Sequence, residues 1–249
     1  MKLIETGFLY QHTAEEITEK PYQMLRLGPG RAQEIFSLQK IVYEAQDDPQ
    51  KFVPDPIESF QDVMLVEGKG FSIGVFVEDQ LIAVRTVSFP GKGEENLGRE
   101  IGLTEESELD KVAILEATMV RPDYRGNALQ KKMLVHTMKF IREYGCCHVL
   151  STVSPFNYPS LSSVMHAGLY IKNLKLRTGV YGGKLRFLMA KNICREEPMN
   201  FSDTITLKNT EIKKQQLLME KGYLGFKLEE IPEEPDQFMV YYGCPEVKI

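Results

Sequence analysis

The chain has no tryptophan, and only four cysteines and four histidines among its 249 residues. Cys146, Cys147, Cys194 and Cys244 fit neither a disulfide framework nor a zinc-ligand spacing. The adjacency of Cys146 and Cys147 suits small buried apolar side chains better than a bridge. His12, His136, His148 and His166 share no short ligand spacing, so no metal centre is indicated. A basic excess is lacking too. With 30 Lys+Arg against 35 Asp+Glu the formal charge is −5, which argues against sequence-independent binding to nucleic acid. No apolar run approaches the roughly 20 residues that span a bilayer, and the first fifteen residues hold no apolar signal stretch. These absences lead to the expectation of a soluble, cytoplasmic chain without membrane contact.

What remains is a globular composition, 43% hydrophobic and 26% charged. It is enough for one large domain, or one domain plus an appendage. After an N-terminal extension over 1–21, residues 22–27 read as a short strand ended by Gly28-Pro29-Gly30. Ile35, Leu38 and Val42 then mark one face of a helix over 31–44. A second short helix carries Ile57, Phe60 and Met64. Residues 71–77 and 81–89, rich in β-branched and aromatic side chains, form a hairpin. The polar stretch 90–110 reads as a long acidic loop, solvated or functional.

Residues 111–120 read as a strand, and 128–144 as a long helix with Leu129, Met133, Phe140, Ile141 and Tyr144 on one face. Gly145 ends it. A strand over 149–154, a helix over 159–167 and strands over 169–176 and 185–190 follow. From residue 193 the pattern restarts weakly, with strand-like 204–207, helical 211–221 and strand-like 237–242.

The chemistry concentrates between the strand ending at Val120 and the helix beginning near Ala128. A strand-to-helix turn aims several backbone N–H groups at one spot, and the helix N-terminus adds positive partial charge. Gly126 lets a diphosphate approach the backbone, and Arg121 and Arg125 can add charge-assisted contacts. Val120, Pro122, Tyr124, Arg125 and Gly126 stand in the register of the acyl-CoA-binding motif, and the segment resembles that of the GNAT N-acetyltransferase superfamily. Ala128 stands where that family usually has glycine, and Gln130 where it has glycine or alanine. Asn157, Ser160, Gly168 and Leu169 fall at the spacing of the family's next helix. The resemblance covers about residues 22–192.

The resemblance implies an α/β (α+β) fold: a mixed, mostly antiparallel central sheet flanked by helices over 1–192, with a small C-terminal β/α appendage over 193–249. It implies acetyl-CoA as co-substrate, held by backbone N–H groups across Gly126, Asn127, Ala128, Leu129 and Gln130. Asn157 and Ser160 would hold the pantetheine arm between splayed strands near Val120 and Val153; Asn157 also reads as a helix cap. An N–H near Met119 or Val120 would stabilise the oxyanion.

Glu116 is the candidate base, because a carboxylate in the apolar run Val112–Leu115 needs a reason; a structural ion pair or an exposed sheet position is the other reading. His148 is a weaker alternative. Seven residues after Asn157 the family often has the tyrosine that protonates the departing thiolate. Here that residue is Val164, which leaves Tyr158 or water for the step. The acidic loop and net charge point to a small cationic amine as acceptor. A protein N-terminus or lysine, and a non-catalytic acyl-CoA-binding module, are the alternatives. Nothing in the sequence sets the oligomeric state, and a homo-oligomer stays open.

Overall fold

The computed structural model describes residues 2–195, 200–234 and 236–246. Its strands form one eleven-stranded sheet, in the order β1-β2-β3-β4-β5-β6-β8-β7-β10-β11-β9. The first half of the sheet holds β1 (Lys2–His12), β2 (Ile17–Arg26), β3 (Gly70–Val77), β4 (Gln80–Ser88) and β5 (Val112–Val120). The second half holds β6 (His148–Val153), β7 (Tyr170–Arg177), β8 (Lys184–Asn192), β9 (Phe201–Lys208), β10 (Leu224–Glu230) and β11 (Phe238–Pro245). The halves meet where β5 runs parallel to β6; every other pairing among the described strands is antiparallel.

Helices cover both faces. On one lie α4 (Leu129–Glu143), α5 (Tyr158–His166) and α6 (Ile212–Glu220). On the other lie α1 (Ala32–Glu44) and α2 (Ile57–Ser59) with the wide turn that follows it; α3 (Glu106–Leu109) reaches β6 through Glu108, which bonds His148. The 3.6-residue period is why α1 and α4 form: α1 buries Ile35, Leu38 and Val42, and α4 buries Leu129, Met133, Phe140 and Ile141. Each such side chain, fully buried, stabilises by about 1.5–3 kcal/mol. Both β3 and β4 are covered on both faces, so they read as continuous apolar runs.

Three features differ from the sequence reading. The sequence suggests only an extension over residues 1–21, yet Lys2–His12 pairs with Ile17–Arg26 in a long hairpin. Its exposed face alternates polar and apolar side chains too loosely to announce a strand. Glu5 accepts from the Tyr22 hydroxyl and lies 2.7 Å from His136 of α4, which fixes the hairpin on that helix. Second, Cys147 is disulfide-bonded to Cys194, which corrects the reading of unbridged cysteines. The 47-residue separation hid the pairing, but the Ile193 N–H bonds the Cys147 carbonyl at 2.8 Å and brings the two chain segments together. Third, the stretch 90–110 is built rather than loose. Asn96 donates to the carbonyls of Gly91 and Leu109 and accepts from the Gly98 N–H, and Glu100 is clamped by Arg177 and Lys175.

Strands β9–β11 continue the sheet beyond β7. The β7–β10 junction is a single register pair, Gly225 with Ile171, and a Cβ on Gly225 would lie 2.9 Å from Ile171. That close approach is the reason for glycine there. Among the described residues no helix is long and apolar enough to cross a membrane.

Candidate active site

The β5–β6 ladder runs only from Val112↔His148 to Leu115↔Ser151. Beyond it the strands are unpaired with each other, and a cleft of about 2020 Å³ opens between them. Residues Val120, Val153 and Ser154 line its walls.

At one end lies the turn into α4. The N–H groups of six successive residues, Gly126 through Lys131, have no acceptor among the described residues, and all six residues line the cleft. The first internal bond is Lys132 N–H to the Ala128 carbonyl. Helix starts always leave such donors, and here they face a concavity with the positive end of the helix dipole behind them. Gly126 has φ +86°, a left-handed conformation, and an added Cβ would have only His12 Nε2 nearby, at 3.9 Å. The site therefore has the space and the donors for a diphosphate. Asn127 does not offer its side chain to a ligand. It accepts from the Tyr10 N–H at 2.7 Å and donates to the Tyr10 carbonyl at 2.6 Å, locking the N-terminal hairpin to the turn.

At the other end lies Glu116. The β4–β5 register jumps from Arg85↔Thr118 to Val87↔Leu115, so Glu116 and Ala117 together oppose Thr86. Thr86 Oγ fills the gap by accepting the Ala117 N–H at 3.0 Å. This bulge re-aims Glu116 off the packed surface and into the cleft.

No family sequence model matches the chain, and no curated protein matches it in sequence. Solved structures do match. A GNAT-family acetyltransferase from Streptococcus pneumoniae superposes with a TM-score of 0.52 at 13% identity, covering 69% of this chain and 99% of that one. The ribosomal-protein-S5-alanine acetyltransferase of Vibrio fischeri gives 0.52 at 13%, covering 71% and 96%. A putative acetyltransferase of Salmonella typhimurium, solved with acetyl-CoA, gives 0.52 at 10%, covering 71% and 95%. The chain has the GNAT fold.

Within that GNAT frame, Glu116, Val120, Arg125 and the turn Gly126–Gln130 line the cleft on one side, and Asn157, Tyr158 and Ser160 on the other. Met119 does not, since its side chain is fully buried in the core under α1. Nor does Arg121, whose guanidinium pairs with Asp123 at 3.1 Å. Ala128 adopts φ +54°, which accounts for the glycine usual at this position in the GNAT motif. Asn157 caps α5, accepting the Ser160 N–H at 3.1 Å, and donates to the Lys51 carbonyl at 3.2 Å. Tyr158 packs edge-on against Phe238, 5.2 Å between ring centroids, and burial raises its phenol above the ordinary value. Val164 is buried in the α5 core. His148 does not reach the cleft; it is buried and held by Glu108 at 2.8 Å.

The Glu116 end of the cleft is electrostatically unusual. Burial pushes the Glu116 carboxyl up to about 7, against a hydrogen bond from Ser88 Oγ at 2.5 Å that lowers it and a nearby Asp55 that raises it further. Asp55 is itself pushed up to about 6 by burial. Tyr181, whose hydroxyl is 3.1 Å from Thr152 Oγ, completes this wall, its phenol raised by burial. Sequence reasoning missed Asp55, Ser88 and Tyr181. Only Asp55 carried a signal, since it stands between Pro54 and Pro56 in a stretch that reads as a plain connector.

Proposed function

We propose that this chain is an acyl-CoA-dependent N-acyltransferase that moves an acetyl group from acetyl-CoA to the primary amine of a small molecule. The observation that carries this reading is the run of six acceptor-less N–H groups from Gly126 to Lys131 at the head of a cleft that ends at Glu116. The turn would bind the CoA diphosphate through main-chain donors, and the wall from Val120 to Val153 would take the pantetheine arm. Acetyl-CoA supplies the activated acyl group.

In the reaction an N–C bond forms between amine and acetyl carbonyl, the C–S bond breaks, and CoA leaves as thiolate. Glu116 takes the proton of the acceptor ammonium. With its carboxyl raised by burial to about 7, it takes up a proton readily near neutral pH and releases it again. Tyr158, on the CoA side of the cleft, is the proposed proton donor to the thiolate, and it regains its proton from the second N–H of the attacking nitrogen, which the adduct gives up as the C–S bond breaks; Tyr124 and Tyr181 are the other phenols lining the cleft. Positioning of amine and thioester in one cleft supplies much of the remaining rate.

A small acceptor is favoured over a polypeptide by the segment between α1 and α2. Lys184 donates to the carbonyls of Pro49 and Phe52, Arg186 to that of Gln50, and Asn157 to that of Lys51. The segment thus crosses from α1 to the β8 side and narrows the acceptor end. Val164 in place of the family's tyrosine favours a second reading, a non-catalytic acyl-CoA-binding module.

The test combines binding and turnover. Acetyl-CoA at ~100 times its dissociation constant stabilises a protein by about 2.7 kcal/mol, a rise in melting temperature of roughly 5–11 °C for a chain of this size. Such a shift with thiol release on amines supports the enzyme; a shift with no thiol release on any amine supports the module; no shift at millimolar acetyl-CoA rejects both.

A further inference from the structure

The strap between α1 and α2 brings a second carboxylate to Glu116. Asp55 is fixed at its backbone: its N–H donates to Gln39 Oε1 at 2.9 Å, and its carbonyl accepts from Gln39 Nε2 at 2.7 Å, with Gln39 itself buried in α1. Prolines on both sides restrict it further. The strap's far side is tied to β8 and α5 by the four carbonyl contacts above. The position of Asp55 relative to β5 is therefore set from two directions.

Its side chain, by contrast, is idle. The Asp55 carboxylate makes no hydrogen bond and no ion pair with any described residue, although it lines the same cleft as Glu116 and lies within electrostatic reach of it. Among the described residues, the partly buried Glu100 is matched by Arg177 and Lys175, and Glu5 by Tyr22 and His136. Glu116 has a partner, Ser88, on one oxygen only. Nor do the nearby cations compensate. Arg177 is engaged by Glu100; Arg186 gives Nη1 to the Gln50 and Leu185 carbonyls, and its buried Nη2 has no partner among the described residues, so neither cation is paired with Asp55 or Glu116. Two carboxyls lining one cleft with no cation paired to either among the described residues are costly to ionise together, and both hold their protons more tightly. A cation placed between them removes that cost.

We infer that the acceptor binds as an alkylammonium ion between Asp55 and Glu116, with Asp55 as the substrate-binding residue that selects charged aliphatic amines over neutral molecules of the same shape. This inference rests on the acyltransferase reading for the word acceptor, but its test does not need turnover. Protein saturated with CoA is titrated calorimetrically with butylamine, with 1,4-diaminobutane and with uncharged 1-butanol.

Wild type should bind both amines and not the alcohol. Asp55→Asn should weaken amine binding at least about tenfold, the value of one hydrogen bond to a charged group, and leave the stabilisation by CoA unchanged. Asp55→Glu should recover part of the loss, which a merely structural residue would not do. Equal binding of amine and alcohol, amine binding unaltered in Asp55→Asn, or no amine binding by wild type overturns the inference. Amine binding with this selectivity but without thiol release from acetyl-CoA sinks the transfer reading and leaves the ammonium site standing.

Discussion

The two ends of the cleft are made of different material. At the α4 end the donors are main-chain N–H groups, presented by the turn Gly126–Lys131 and indifferent to most side chains. At the β5 end the polar groups are side chains, Glu116 from a bulge and Asp55 from a strap, each raised in proton affinity by its surroundings. A site of backbone depends on conformation, so it tolerates many residues but few changes of φ. A site of side chains depends on identity, so a single amide-for-acid exchange reaches it.

The largest expected effect tests the second half of that contrast. Glu116→Gln should lower turnover by roughly 10²–10³-fold while keeping the melting shift with acetyl-CoA. In wild type, kcat/KM should rise with pH through about 7, because the base works only after its carboxyl has lost its proton; the Gln variant should lack that limb. Loss of the acetyl-CoA shift in Glu116→Gln would break the separation of the two ends.

Next comes Gly126→Val, which forces a β-branched residue to φ +86°. The strain, about 1–2 kcal/mol in the folded state, is relieved by moving the turn, so the melting shift with acetyl-CoA should vanish. A retained shift would mean that the turn is not the anchor.

A smaller effect appears in stability against pH. Burial holds Glu116 and Asp55 above their ordinary values, so the folded chain binds these protons more tightly than the unfolded chain does. The stability they contribute is complete below about 4 and is lost as pH rises through about 6 for Asp55 and about 7 for Glu116. Glu116→Gln, which cannot ionise, should therefore melt above wild type at pH 8, with the gap closing toward pH 4. The smallest effect belongs to the backbone end: Ala128→Gly relieves φ +54° and should raise stability by about 0.5–1 kcal/mol, a few degrees, without altering amine selectivity.

Much of the α4 end was legible in the sequence, since a strand, a turn with Tyr124-Arg125-Gly126 and an amphipathic helix are local patterns. The main helices and the β3–β4 hairpin were legible for the same reason. Glu116 stood out as a charge in an apolar run, but the bulge that aims it was not readable, because a register shift is a property of two strands. Asp55 was hidden because its role depends on a strap closing over β5 from 61 residues away in sequence (116 minus 55). The β1 strand was missed at the sheet edge, where weak alternation suffices. Cys147 and Cys194 were read as unbridged, because only the close approach of β6 and the end of β8 joins them.

One feature of the sheet has a mechanical meaning. The two antiparallel plates, β1–β5 and β6–β11, are joined edge to edge by four register pairs at the parallel seam. Helices and the strap bridge them, but the sheet itself is continuous only there. A ligand lying in the wedge presses on both plates at once, so the energy that binds it also acts as cohesion across the seam.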